Sequence, residues 1–144
     1  MALTATQAAA LSCAVPTVAE TFARADASDD VYQVVKGVIA FDPAEMPEGG
    51  ENDAQGGEVT ATMVGDALTA EGFNARFVSP ITLVVGCAGP WCGTVGAGEQ
   101  IAFLRQSGGR LELDVSPCPG SSFEATEEVE AAVMACLAGE CGAD

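Results

Sequence analysis

The 144-residue sequence contains no histidine. Histidine is the usual general base near neutral pH and the commonest metal ligand in proteins. Without it, the chain cannot build a Ser-His-Asp triad, a Cys-His nucleophile pair or a histidine-based zinc site. The missing histidine removes these sites, and from the sequence as a whole we expect a protein that is not an enzyme and that holds neither a metal ion nor another cofactor.

Basic residues are also scarce, because five Lys and Arg face 21 Asp and Glu and leave a formal net charge of −16. A surface of this sign repels phosphate backbones and anionic lipid headgroups. Nucleic acid is excluded as an expected partner. An acidic surface of this kind more often provides solubility than recognition of a cation.

Long apolar runs are missing too. Although 49% of the residues are hydrophobic, no stretch approaches the roughly 20 consecutive apolar residues that span a bilayer. The sequence therefore predicts no membrane span. Its length and its apolar content suit one core, so we expect a single domain over residues 11–144 and a monomer.

Residues 1–10 end in Ala8-Ala9-Ala10, a small-x-small pattern that resembles a signal-peptidase site, but a basic region and a full apolar stretch before it are absent. We interpret these residues as the disordered tail of an export signal. Six cysteines, an even number, fit three disulfides formed in an oxidising compartment. Both features predict a periplasmic or secreted protein.

Hydrophobic periodicity divides the chain into helices and strands. Residues 17–25 and 124–142 have helical spacing, and the second segment carries an apolar stripe and a stop signal at Gly139. Residues 42–57 are rich in proline, glycine and acidic residues, and this composition predicts a surface loop. The predicted strands are 31–41, 58–69, 73–86, 99–106 and 110–116. The stripe comprises Val129, Ala132, Val133, Cys136 and Leu137.

Five strands between two helices, with bulges or bends expected at Gly65 and Pro80, favour a mainly β fold. We predict a five-stranded OB-type Greek-key barrel with a short N-terminal helix and a C-terminal amphipathic helix that plugs an open end. A two-layer α+β domain is the alternative.

The stretch "VVGCAGPWCGTVGAGEQIAFLR", residues 84–105, is the one candidate for chemistry. Trp91-Cys92-Gly93 matches part of a thioredoxin-like motif, but no second cysteine follows, and Cys87 lies upstream at the end of a strand. A metal clip would need a second pair, which Cys136 and Cys141 offer with the same spacing. The third interpretation is a disulfide that staples a loop.

Four features follow one another in a fixed order: Cys13, then Cys92-Gly93 before the strand "GEQIAFL", then Cys118 after the last strand, then an amphipathic helix. This framework resembles the tissue-inhibitor-of-metalloproteinases-like, or netrin-module-like, family of secreted OB-fold proteins. In that family a Cys-x-Cys opens the mature chain. Its first cysteine pairs with the Cys-Gly cysteine and its second with the cysteine that closes the hairpin.

Here Leu11 stands in place of the family's first cysteine, and Cys87 is an added cysteine. The resemblance and this departure together imply that Cys13 pairs with Cys118 and Cys87 with Cys92. Cys136 and Cys141 then form the third pair.

The favoured function is a non-enzymatic binding module for an unknown protein partner, with Trp91, the single tryptophan, as a candidate contact if it is exposed. The family resemblance implies one alternative, a metalloprotease inhibitor. In it, the amino group and carbonyl of Leu11 would chelate the protease zinc and Ser12 would enter its pocket. A thiol-disulfide redox protein that uses Cys87 and Cys92 is the other alternative.

Overall fold

The computed structural model describes residues 13–50 and 54–141. Over these ranges the chain forms two α-helices, a short 3-10 helix and eight strands. The elements in chain order are α1 (Val18–Ala27), β1 (Tyr32–Ala40), the 3-10 helix (Pro43–Glu45), β2 (Gly57–Thr69), β3 (Gly72–Val85), β4 (Cys87–Ala88), β5 (Trp91–Cys92), β6 (Glu99–Ser107), β7 (Arg110–Val115), β8 (Ser122–Glu124) and α2 (Glu127–Leu137). The predicted mainly β class is confirmed.

The five long strands pair in a closed circuit. Antiparallel pairing joins β1 to β2, β2 to β3, β6 to β7 and β1 to β6, and parallel pairing joins β3 to β7. These are the five strands predicted from the sequence. The short β8 extends the sheet beyond β6, and β4 and β5 form a separate two-stranded ribbon. The prediction missed these three short strands.

The register shift that marks a β-bulge lies at neither Gly65 nor Pro80, where the sequence predicted a bulge or a bend. The register of β2 and β3 shifts between Ala67 and Leu68. Gly65 instead faces Gly37 of β1, where a Cβ atom on Gly37 would lie 2.3 Å from the Val64 carbonyl oxygen. The two glycines therefore let β1 and β2 approach closely. Pro80 lies on β3 opposite Thr62 of β2.

Two apolar clusters pack on opposite sides of β6. The residues Ala102 and Leu104 belong to the cluster enclosed by the long strands, whereas the alternate residues Ile101 and Phe103 belong to a cluster with the helices. The first cluster is Val35, Ile39, Val59, Ala61, Met63, Ala67, Phe77, Ile81, Leu83, Val85, Ala102, Leu104, Leu113 and Val115. Because β6 is buried on both faces at its centre, residues 101–104 form a continuous apolar run.

Both predicted helices are present, and each begins directly after a threonine. Thr17 and Glu20 form a capping box at α1, and Thr126 caps α2 by accepting a hydrogen bond from the Val129 amide. Of the predicted stripe, Val133 and Cys136 are buried. Both helices pack on the outer side of β6, in contact with each other, so α2 covers a wall of the strand circuit instead of plugging its end.

Three disulfides join Cys13 to Cys118, Cys87 to Cys92 and Cys136 to Cys141. These are the pairs implied by the family framework and its departure at Leu11. The first bond ties the chain before α1 to the loop after β7. The third bond joins the end of α2 to the residues that follow it.

Candidate functional site

The described residues among those proposed from the sequence lie in three separate places: the Cys13–Cys118 bond, the β4–β5 ribbon with its disulfide and Trp91, and the Cys136–Cys141 bond after α2. Leu11, Ser12 and the 1–10 segment are outside the described residues. Cys13 and Cys118 lie beside the start of α1. Trp91 lies on β5, where its side chain is 40% exposed, so the condition for its being a contact residue is met.

The β4–β5 ribbon is built around a disulfide. Cys87 lies directly opposite Cys92 in the antiparallel register. The Gly86 amide donates to the Val115 carbonyl oxygen at 2.9 Å, and the Gly50 amide donates to the Pro90 carbonyl oxygen at 2.7 Å. A Cβ atom on Gly93 would lie 2.2 Å from the Val115 carbonyl oxygen, so only glycine fits there. The ribbon is thereby held against the end of β7 and the loop after β1.

This setting differs from that of a reactive thiol. Cys87 and Cys92 lie in strands, whereas low-pKa cysteines commonly lie at helix N-termini, where the dipole stabilises the thiolate. The geometry suits a staple, the third of the interpretations that the sequence left open. Among the described residues, no group of three or more Cys, Asp or Glu side chains is placed to hold a metal ion.

A surface that the sequence analysis missed lies on the outer side of β1, β2 and β3. Val38, Val64 and Val78 are direct neighbours in the strand register, and these residues are 49%, 39% and 61% exposed. The next row of the same surface is Ala40, Thr62 and Pro80, all exposed. We call these six residues the valine face.

The valine face carries no charge, although the protein has 21 acidic residues. Its neighbouring row is charged and consists of Lys36, Asp66 and Arg76. The longest segment of the chain without Asp or Glu, residues 72–98, supplies Val78 and Pro80 of the face and also Trp91. This segment contains two of the six residues of the face, but no local pattern marks the other four, which only the strand register brings beside them.

One edge of the valine face is open. β3 pairs with β2 along its whole length, but on its other side it pairs with β7 only from Thr82 to Val85. Within the described residues, no strand covers that side from Gly72 to Ile81. Where β3 and β7 diverge, a crevice of about 260 Å³ opens between Pro80, Ile81 and the β6–β7 turn at Gly109.

Three of the five basic side chains of the chain form ion pairs with residues outside the valine face. Lys36 donates to Glu130 of α2 at 2.8 Å, and this hydrogen bond raises the pKa of Lys36. Arg105 pairs with Asp114 at 2.8 Å. Over the described ranges, Arg24 and Arg76 are the two basic side chains without an ion pair.

Glu112 is the centre of the largest charge cluster. Its Oε2 lies 2.7 Å from Nη2 of Arg110, which also lies 2.7 Å from Oε1 of Glu58. Burial acts to raise the pKa of Glu112, but hydrogen bonds from Arg110 and Arg105 outweigh it, and the pKa lies below its usual value. The cluster joins β6 and β7 and reaches Glu58 of β2 across the intervening strand β3.

A cavity of about 350 Å³ lies between α1 and the strands, next to the Cys13–Cys118 bond. Several of its polar groups are already engaged, because the Thr21 hydroxyl donates to the Gly120 carbonyl oxygen at 2.8 Å and Asp114 pairs with Arg105. Arg24 lines the same cavity.

Comparison of the chain with protein-family models, with curated proteins and with solved structures found no match. In the described part of the chain, neither helix is long and apolar enough to cross a membrane.

Proposed function

We propose that this protein is a non-enzymatic binding module that recognises a partner protein through the valine face. The observation that carries the proposal is the row of three exposed valines in a surface without charge on a molecule of net charge −16. Exposed apolar patches with charged rims are typical of protein interaction sites, and the centres of protein interfaces are depleted in charged residues.

We also propose that the strand circuit is an OB-type barrel of the netrin-module-like kind and that the protein is secreted or periplasmic. The strand order β1-β2-β3-β7-β6, with its parallel step from β3 to β7, supports the OB type. The bond from Cys13 to Cys118 supports the family resemblance. Three disulfides without a free cysteine among the described residues support an oxidising compartment.

Neither alternative function gains a specific observation. The inhibitor hypothesis depends on Leu11 and Ser12, which lie outside the described residues, and it stays a prediction from the resemblance. The redox hypothesis requires a thiolate at Cys87 or Cys92, and the ribbon that holds this pair offers no helix N-terminus to stabilise one.

Affinity enrichment with matched baits tests the valine face. The baits are the wild type, a variant with Val38→Thr, Val64→Thr and Val78→Thr, and a control with Val15→Thr and Val31→Thr, since Val15 and Val31 are each 61% exposed outside the face. Threonine keeps the β-branched shape and removes apolar surface. Melting temperatures of the three baits establish that each is folded.

We expect the wild type and the control to recover the same partner from periplasm or medium, and the triple variant to recover at least about tenfold less, because a loss of about 1.4 kcal/mol of binding free energy is tenfold in affinity. Equal recovery by all three baits, or recovery of no partner by the wild type, would contradict the proposal.

A further inference from the structure

The open edge of β3 presents main-chain groups to an incoming strand. In a strand, the N–H and C=O of one residue point to one side, and those of the next residue point to the opposite side. Because β2 occupies one side of β3 throughout, the other side between Gly72 and Ile81 has main-chain donors and acceptors without a strand among the described residues. Such an edge is a template for an added strand.

The side chains along this edge define what can add to it. Arg76 and Val78 are two residues apart, so both lie on the outer face, with the buried Phe77 between them pointing inward. Arg76 lies opposite Asp66 in the register but forms no ion pair with it or with another described residue. Val78 is the outermost member of the valine row.

The edge also has defined ends. Pro80 has no N–H to donate, so strand addition is interrupted there. Just beyond Pro80, the crevice by the β6–β7 turn leaves room for the end of an incoming segment. At the other end, Gly72 follows directly on the β2–β3 turn. The accessible template therefore runs from Phe73 to Ser79.

We infer that the partner supplies an extended segment that adds as a strand to β3 between Phe73 and Ser79. The segment places a β-branched apolar residue beside Val78 and a carboxylate beside Arg76. The inference rests on the proposed function and specifies the partner chemistry for the same face. The added strand would extend the row Val38, Val64 and Val78 by one residue, and the carboxylate would satisfy a cation that has no ion pair among the described residues.

A second copy of the chain fits this edge poorly. In an antiparallel pairing centred on Val78, Arg76 of one copy would face the Pro80 position of the other, so neither arginine would meet a carboxylate. Each copy also carries a net charge of −16, which opposes self-association. A charge and a proline on an edge hinder the pairing of identical strands, whereas a segment of opposite charge can still pair there.

The test uses the full chain and a blocked eight-residue peptide as the probe. One face of the peptide carries valine and glutamate two positions apart, and the other residues are threonine. A second peptide replaces glutamate by lysine. The protein variants are Arg76→Glu and the matched control Arg24→Glu, which makes the same charge change on α1. Backbone amide shifts and amide hydrogen exchange locate the binding.

We expect shifts and slowed exchange confined to residues 73–79 and their β2 neighbours. Arg76→Glu should weaken binding of the glutamate peptide about tenfold, and this variant should bind the lysine peptide better than the wild type does. The reason is that opposite charges on facing strands stabilise the pairing, whereas like charges destabilise it. Arg24→Glu should change neither affinity by more than about twofold.

Binding that maps to α1 or to the β4–β5 ribbon would overturn the inference. So would equal effects of the two arginine variants, or no saturable binding at millimolar peptide. Concentration-dependent shifts at residues 73–79 without peptide would assign the edge to a second copy and would also overturn it. If the triple-valine bait loses its partner while the edge stays unaffected by peptide, the proposed function stands and the strand-addition inference fails.

Discussion

Cys13 holds the described N-terminal end of the chain to the loop after β7 through a bond that spans 105 residues. In the chain-entropy model, a disulfide stabilises the native state by restricting the unfolded chain, and the restriction grows with the length of the loop closed. The bonds at Cys92 and Cys141 each span only five residues. The three bonds should therefore differ in their effect on stability.

Replacing Cys13 and Cys118 together by serine should lower the free energy of unfolding by about 4 to 5 kcal/mol, whereas replacing Cys87 and Cys92 together should lower it by roughly 2 kcal/mol. Urea unfolding of both variants and of the wild type, under non-reducing conditions at one pH, measures the difference. Equal losses of unfolding free energy in the two variants would show that the long bond does not stabilise the protein more than the short one.

Some single residues could be predicted from the sequence, and others could not. The pairing of Cys87 with Cys92 followed from a missing cysteine at Leu11 and an added one. Gly65 lies at a close approach of two strands and not at the register shift, because a glycine pattern does not distinguish a bulge from a close approach. Its partner Gly37 is far away in the sequence, and only the register of β1 and β2 brings the two together.

At the scale of elements, β2, β6 and β7 are linked by ion pairs that centre on Glu112. Hydrogen bonds from Arg110 and Arg105 place the pKa of Glu112 below its ordinary value. A carboxyl whose pKa is lower in the folded state contributes stability above its unfolded pKa and loses it as the pH falls through the folded pKa. Its contribution is therefore complete near neutral pH and declines below about pH 4.5.

The variant Glu112→Gln should consequently have a lower melting temperature than the wild type at pH 7, and the difference should shrink as the pH falls from 4.5 toward 3. Thermal unfolding of both proteins across this range checks it. Because the other carboxylates titrate in both proteins, the comparison isolates Glu112. A difference that stays constant with pH would mean that the charge of Glu112 is not the cause.

The elements with a clear period were predicted correctly. β7 alternates apolar and acidic residues, and α2 has its stripe, cap and stop, so local pattern was sufficient. β4, β5 and β8 have two or three residues each, too few for a period to show. The position of α2 was wrong, because an apolar stripe establishes that a helix packs but does not identify its neighbour.

For the whole molecule, the decisive contacts join distant parts of the chain. The circuit closes through β1 with β6 and through the parallel pairing of β3 with β7, and neither is marked by a local signal. The valine face was missed for the same reason. Val38, Val64 and Val78 look like ordinary strand residues until the register of three strands places them side by side.

The valine face is proposed to contact a partner protein in the compartment where this protein works. Site-specific photo-crosslinking in the producing cells tests it most directly. A photoreactive phenylalanine analogue replaces Thr62, which lies in the valine face. In the control it replaces Val31, which is also uncharged and exposed but lies outside the face. We expect a discrete adduct with one other protein from position 62 and none from position 31. No adduct from position 62, an adduct of two copies of this chain, or equal adducts from both positions would contradict it.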